Sequence, residues 1–324
     1  MNSCFLRAVT VTIGIALACA TGVAAAAFPE KPVRIVVPFA PGGATDVVAR
    51  ALGQRLSAAW KQQVVIDNRP GAGGNIGADI VAKAPADGYT LLMASPAEVA
   101  INPFLYSQMP FDPAKDLVAV AKVASAPLVL VVHPSVPANN LAELIEYLKS
   151  KKDGVTYASS GTGGPQHLAG EQFRVMTNTR LIHVPYKGGA PAITDLLGGQ
   201  VQMFFAGLPP ARAHIQAGKL RAIAVTSAKE SPLMPGVPPI DASLPGFAIE
   251  NWQGIFAPAG TPDAVVAQIS RDIAVIGRDK AFDEQLSAQG AGSAPLSPAE
   301  FAAFVQGERD KYARLVKASG AKVD

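Results

Sequence analysis

The chain has 324 residues, 28 Lys and Arg against 25 Asp and Glu, a net charge of +3, and 49% hydrophobic against 16% charged residues. That length suggests about two domains, each large enough to bury its own core, and a composition this apolar excludes a disordered chain. With no basic run longer than Lys151-Lys152 and only 6% aromatic residues, the sequence has no electrostatic or stacking surface for nucleic acid.

Residues 1–26 carry one charge, Arg7, followed by the apolar run from Ala8 to Ala20 and the small residues Thr21 to Ala27. This is the pattern of a secretory signal peptide, with cleavage expected after Ala26 or Ala27. Cleavage removes Cys4 and Cys19, both cysteines of the chain, and with them any disulfide, thiol nucleophile or thiolate-bound metal. A lipoprotein acylated at Cys19 would want leucine three residues upstream, where Ala16 stands. A retained membrane anchor would want an apolar run of about 20 residues, longer than this one.

The rest alternates short β-rich runs with amphipathic runs, the pattern of an α/β protein with mostly parallel strands. Val33 to Val37 reads as a strand ended by Pro38 and the Pro41-Gly42-Gly43 turn. Asp46 to Trp60 reads as a helix with Val48, Ala51, Leu52, Leu56 and Ala59 on one face. A second unit has Val64 to Ile66 as strand, Arg69 to Gly74 as turn, and a helix carrying Ile76, Ile80, Val81 and Ala84. Thr90 to Met93 is a third strand. The uncharged stretch Val123 to Ala142, interrupted by Pro127, Pro134 and Pro137, reads as a buried strand (Leu128 to Val132) plus a loop. Asn140 then caps a helix, with Glu143 answering three residues on. Strands follow at Val155 to Ala158 and Leu181 to Val184, each leading through a Gly-rich turn into a helix, and again at Val201 to Phe205 and Leu220 to Thr226. Five prolines between Ser231 and Pro245 exclude helix or central strand there. Trp252 to Ala257 returns to strand. The remainder is expected to be helical, opening at Thr261-Pro262 and at Ser297-Pro298-Ala299-Glu300.

Three turns share one construction of strand, Gly-rich loop and helix start: Pro38 to Asp46, Ser159 to Pro165, and Tyr186 to Pro191. A helix N-terminus offers unpaired N–H groups and about half a positive charge, and glycine lets an anion approach that backbone closely. Ser159, Ser160 and Thr162 add hydroxyl donors and Lys187 a formal charge, which makes these the parts of a carboxylate cradle at the carboxyl ends of strands. Nucleotide motifs are missing: no phosphate loop occurs, and Gly71-Ala72-Gly73-Gly74-Asn75-Ile76 places Ile76 where a dinucleotide fingerprint wants glycine. A Ser160, His167, Asp195 triad is conceivable, but no nucleophile elbow supports it. His133, His167, His183 and His214 lack metal-ligand spacing, so neither a metal nor a cofactor is expected. Glu98, just past a strand end, reads as a solvent-facing acid or as a reader of a ligand's cationic or hydrogen-bonding group.

The run Val36-Val37-Pro38-Phe39-Ala40-Pro41-Gly42-Gly43-Ala44-Thr45-Asp46, with Ala49-Arg50, resembles the first signature of the Bug family, the tripartite tricarboxylate transporter receptors. Matching segments follow in order: Asn68 to Gly77, Pro85 to Leu91, Ile101-Asn102-Pro103, Ser159-Ser160-Gly161 with His167 to Glu171, Val184 to Gly188, and Phe256 to Pro262. Together they cover essentially the whole chain after residue 26.

The resemblance implies a two-lobed type II periplasmic binding protein, each lobe a mixed sheet flanked by helices. One lobe is expected from residues 27–127 plus 251–324 and the other from 128–250, with the ligand cleft between them. It implies a periplasmic solute receptor, not an enzyme, that captures a small organic carboxylate and delivers it to the membrane subunits of a tripartite transporter; it is expected to be monomeric. A ligand-sensing subunit for a signalling receptor is the alternative, and a periplasmic hydrolase a weaker one. Carried over residue by residue, the resemblance points to Phe39, Ala40, Gly42, Gly43, Asp46, Ser159, Ser160, Gly161, Thr162, Gly163, His167, Tyr186, Lys187 and Gly188, with Asp46 bracing its turn. Ser95, Ala97, Glu98, Ala206 and Gly207 occupy stretches expected to choose the ligand, and Glu98 disfavours a plain tricarboxylate such as citrate.

Overall fold

The computed structural model describes residues 28–323, so the expected signal segment, with Cys4 and Cys19, lies outside the described residues. In chain order the elements are β1 (Val33–Val37), α1 (Ala44–Trp60), β2 (Val64–Asn68), a 3₁₀ turn (Ala72–Gly74), α2 (Asn75–Ala82) and β3 (Thr90–Ala94). A π-helical turn (Ala97–Ile101) runs into α3 (Asn102–Leu105), followed by β4 (Leu117–Val132), α4 (Leu141–Ser150), β5 (Val155–Ser159), α5 (Pro165–Thr177), β6 (Leu181–Pro185) and α6 (Gly189–Leu197). Then come β7 (Met203–Gly207), α7 (Leu208–Gln216), β8 (Arg221–Val225), β9 (Glu250–Pro258), α8 (Asp263–Gly277), α9 (Lys280–Ala288), β10 (Gly292–Leu296) and α10 (Pro298–Ser319).

The strands follow the order β2-β1-β3-β9-β4-β7-β5-β6, with β8 and β10 also on β4. Pairing is parallel between β1 and its neighbours and between β5 and its neighbours, as the βα alternation predicts. It is antiparallel wherever β4 or β9 takes part, which makes the sheets mixed.

The 16-residue β4 is longer than the strand expected at Leu128 to Val132. Its residues Leu117 to Pro127 pair with β9, whereas Leu128 to Val132 pair with β7. Pro127 lacks an N–H, and the strand continues through it because neighbouring Leu128 is tied elsewhere. The Leu128 N–H donates to Thr226 Oγ1 at 2.9 Å, the Thr226 N–H returns to the Leu128 carbonyl, and the Thr226 hydroxyl reaches the Ile249 carbonyl. The two places where the chain passes from one half of the sheet to the other therefore lie side by side.

Each half carries apolar packing on both faces. Val33, Leu52, Leu91 and Ile273 belong to one cluster of the first half and Val36, Leu92, Trp252 and Phe301 to another. The second half has Leu130, Tyr157, Phe173 and Phe205 in one cluster and Val129, Phe204 and Leu196 in another. At about 25 cal/mol per Å² of apolar surface, such burial is the main stabilising term.

Several local expectations hold. Asn140 accepts the Glu143 N–H at the start of α4, and the Ser297 N–H and hydroxyl both reach Glu300 at the start of α10. Others do not. Thr261 does not cap α8; its hydroxyl turns back to the Pro258 carbonyl, and Pro262 occupies the N-cap. The C-terminal region is not wholly helical, because Gly292–Leu296 forms an edge strand on β4. Ile76 is not on the buried face of α2 but half exposed, since close approach of Gly77 to Pro38 fixes which side of the helix meets β1.

Candidate ligand-binding site

The loops that follow β1, β3, β5, β6 and β7 meet the start of β9 around one cavity. Its wall is formed by Phe39, Gly43, Ala44, Thr45, Ser95, Ser160, Gln166, Gly189, Gly207, Pro210 and Asn251. None of these side chains carries a charge.

Four helices begin at this wall, α1, α5, α6 and α7, and their N-caps are Gly43, Gly164, Gly188 and Gly207, none with a side-chain cap. Elsewhere α4, α9 and α10 are capped by their own side chains, Asn140, Asp279 and Ser297. A capping side chain would consume the first-turn amides and fill the space in front of them; glycine leaves both open. Pro165, Pro209 and Pro210 have no N–H, so the amides at the wall are those of Ala44, Thr45, Gln166 and Gly189, none of which donates to another backbone group. The side chains of Thr45, Ser160, Gln166 and Asn251 also find no partner among the described residues, which leaves two hydroxyls and two amides free to face an occupant. Four aligned helix dipoles and these donors make the cavity electropositive without a cation.

The sequence-predicted residues divide into three groups. Phe39, Gly43, Ser95, Ser160 and Gly207 line the cavity. Gly161, Thr162, Tyr186 and Lys187 line an adjoining outer pocket with the Gly71–Gly74 loop, and Phe39 and Ser160 face both.

The third group supports the wall from behind. Asp46 is a brace: Oδ2 accepts the Gly42 N–H at 2.8 Å and Arg50 Nε at 2.9 Å, and Oδ1 accepts Asn68 Nδ2 at 2.9 Å. Burial works to raise its pKa, but these bonds outweigh it and hold the carboxyl below the usual range. The Gly42 amide is thereby occupied. The Ala40 N–H donates to the Lys187 carbonyl at 3.0 Å, and Gly188 packs against Ala40 with a φ of +138°. Ala206 points into the packed interior, and Ala97 donates its N–H to Ser95 Oγ.

The structure turns the Ser159 hydroxyl away from the cavity: it is buried, bonded to the Gly161 carbonyl at 2.9 Å and to His183 Nε2 at 2.6 Å. His167 does not reach the cavity either. Its Nδ1 accepts the Gly163 N–H, and its ring stacks on His183 with centroids 4.0 Å apart. Burial depresses both imidazoles, His167 to about 4 and His183 to about 3, so both are neutral and support the Ser159–Gly163 loop. The Ser160, His167, Asp195 triad is not assembled, because Asp195 accepts the Tyr186 hydroxyl at 2.8 Å. Thr45, Gln166 and Asn251 escaped sequence reasoning. Only the position of Thr45, two residues past the first Gly-Gly pair, carried a signal.

The family model described as tripartite tricarboxylate transporter family receptor matches residues 48–321. The chain belongs to that receptor family. It is 38% identical to Protein BugT of Bordetella pertussis, with the whole of both chains covered. Among solved structures, it is similar to R. palustris Rpa4515 with adipate, at 36% identity and a TM-score of 0.89, covering 91% of this chain and 100% of that one. It is also similar to MatC from Rhodopseudomonas palustris with bound malate, at 30% identity and a TM-score of 0.84, covering 89% and 100%. The family is one of substrate-binding receptors, and no helix among the described residues is long and apolar enough to cross a membrane.

In this receptor Glu98 faces neither solvent nor the cavity. It is fully buried in the π-helical turn, where Oε2 accepts both the N–H and the hydroxyl of Ser95, at 2.9 and 3.1 Å. Burial pushes its pKa up to about 8 despite these bonds.

Proposed function

We propose that this protein is a periplasmic solute receptor that captures a small organic carboxylate in the cavity and, acting as a monomer, delivers it to the membrane subunits of a tripartite tricarboxylate transporter. In this reading residues 27–127 with 251–324 form one lobe and residues 128–250 the other, and they close over the ligand about the paired crossings at Pro127 and Glu250. The signal-like pattern of residues 1–26 supports export.

The observation that carries the reading is the ring of four glycine-capped helix starts around an uncharged wall. A partly buried helix end contributes up to ~2 kcal/mol to an anion, so four are on the scale of the about 8 kcal/mol that a micromolar Kd represents. Contacts across the cleft, Ala40 N–H to the Lys187 carbonyl and Tyr106 hydroxyl to the Thr162 carbonyl at 3.3 Å, hold the closed arrangement. A ligand touching both sides favours that arrangement by its differential affinity. The reading contains no catalytic step, in keeping with His167 being engaged by the Gly163 N–H and Asp195 by the Tyr186 hydroxyl. Likeness to receptors with bound adipate and malate supports a dicarboxylate among the candidates.

Titration calorimetry against mono-, di- and tricarboxylates, with a nucleotide and a sugar as controls, is expected to find binding only among carboxylates. A chain that binds none of them but takes up a control ligand refutes the proposal.

A further inference from the structure

An anion entering the cavity meets Ser95, and behind Ser95 lies the buried carboxyl of Glu98. The Ser95 hydroxyl donates to Glu98 Oε2 and accepts the Ala97 N–H at 3.2 Å, so with Glu98 ionised it presents only a lone pair to the cavity. The other carboxyl oxygen, Oε1, has no partner among the described residues; it faces the Cα of Gly74, where an added Cβ would lie 2.2 Å away.

Among the described residues the surroundings supply no compensating cation. The Gly71–Gly74 loop, β3 and α3 bring no titratable side chain to the turn. From α10 come Glu308, Lys311 and buried Tyr312, with Glu308 engaged by Trp252 Nε1 and paired with Lys311. From α5, whose Leu168 packs beside Ala100 and Ile101, come neutral His167 and Glu171, the latter paired with Arg174. No charged side chain offsets the burial that raises Glu98.

We propose that capture of a carboxylate is coupled to uptake of one proton by Glu98, with the Ser95 hydroxyl as the relay between the acid and the ligand. The inference rests on the carboxylate-receptor reading above. The proton comes from solvent or buffer and forms one O–H bond on Glu98. On Oε1 it would find no acceptor, so it resides on Oε2 and donates to Ser95 Oγ. The Ser95 hydrogen, released from Glu98, turns into the cavity and donates to the ligand. One protonation event thus converts the wall at Ser95 from acceptor to donor and removes a buried negative charge beside an incoming one.

The sign follows from linkage. The bound anion raises the pKa of Glu98 further, so proton uptake accompanies binding at pH values above that of the free acid. Affinity is flat below about pH 8 and falls above it, by up to about tenfold per pH unit.

The test is calorimetry with adipate and with malate, at about pH 6.5 and about pH 9, in buffers of different ionisation enthalpy. Wild type is expected to take up close to one proton at the higher pH and almost none at the lower. Glu98→Gln, which stays neutral, is expected to take up none at either and to lose the pH dependence of its affinity. Ser95→Ala keeps the acid but removes the relay, and is expected to weaken binding by roughly 10- to 100-fold at the lower pH. Binding at about pH 9 without proton uptake, or uptake undiminished in Glu98→Gln, overturns the coupling. Unchanged affinity in Ser95→Ala overturns the relay. If neither dicarboxylate nor any other carboxylate binds at the lower pH, the receptor reading itself fails and takes this inference with it.

Discussion

Replacing Gly73 by alanine perturbs the closed arrangement at a defined point. An added Cβ would lie 2.3 Å from the Thr162 carbonyl oxygen and 2.7 Å from the Tyr106 hydroxyl, atoms on the opposite side of the outer pocket and on its floor. Ordinary contact begins near 3.4 Å, so the two sides must part by about 1 Å. That would break the Tyr106–Thr162 hydrogen bond, which is already 3.3 Å long. Overpacking of this kind costs about 1–3 kcal/mol, and because the clash with Thr162, on the other proposed lobe, falls on the closed state alone, it lowers affinity about 5- to 150-fold. Gly73 also has a φ of +62°, where alanine costs about 1–2 kcal/mol in any state of the cleft. Gly218 separates the two effects: its φ is +67° and nothing lies within 4 Å of an added Cβ. Both variants are expected to melt a few degrees lower, and only Gly73→Ala to raise the Kd by calorimetry. Gly73→Ala binding as tightly as Gly218→Ala would refute closure onto the Gly73 loop.

Ser160→Ala and Asn251→Ala remove cavity donors and are each expected to weaken carboxylate binding by about 1.5–3 kcal/mol, whereas Thr162→Ala, whose side chain is absent from the inner wall, changes the Kd little. Lys187→Ala is expected to shift the Kd less than about fivefold and to remove most of its salt dependence, because Lys187 is exposed at the outer pocket; a loss of a hundredfold by the same titration would mean that a formal charge holds the ligand. Burial depresses His167 to about 4 and His183 to about 3, below their unfolded values, so the unfolded chain binds the extra protons as the pH falls. The histidine contribution to thermal stability is therefore expected to be full above about pH 6.5 and to be lost towards pH 4, so His183→Gln is expected to lose less than wild type between those pH values; parallel profiles for the two proteins would refute this.

The Gly-rich turns were legible because glycine and proline act locally: a strand, a glycine pair and a helix start are written within ten residues, as at Val36 to Asp46. Asn251 and Gln166 were not. Each reads as an ordinary polar residue at the end of an element, and becomes part of the wall only when segments more than 80 residues apart meet there. The length of β4 was hidden by Pro127, which argues against a central strand until Thr226 is seen to take the neighbouring Leu128 amide. Glu98 misled for a related reason. Four residues past a strand end an acid ordinarily meets solvent, but the π-helical turn folds it under Ser95, and no local pattern announces that turn.

In the proposed reading, the choice of dipoles over cations has a consequence for the whole receptor cycle. A lysine at the inner wall would attract a carboxylate more strongly, but in the unliganded closed form it would be a buried, unpaired charge costing several kcal/mol. It would also exchange one strong pair for none on release. Bare amides at Ala44, Thr45, Gln166 and Gly189 would distribute the same attraction over separate donors, each of which water can satisfy in the open cleft that reading requires. Asp46 fits this logic, since its negative charge is taken up by Arg50, Asn68 and the Gly42 amide on the far side of the turn and so subtracts little from the α1 N-terminus. Breaking that brace with Asp46→Ala leaves Arg50 and Asn68 without their acceptor. With Arg50 half exposed, it is expected to cost about 1–3 kcal/mol of stability along with ligand affinity, by urea unfolding and calorimetry respectively. If stability falls but affinity does not, the geometry of the first turn does not set the strength of the cradle.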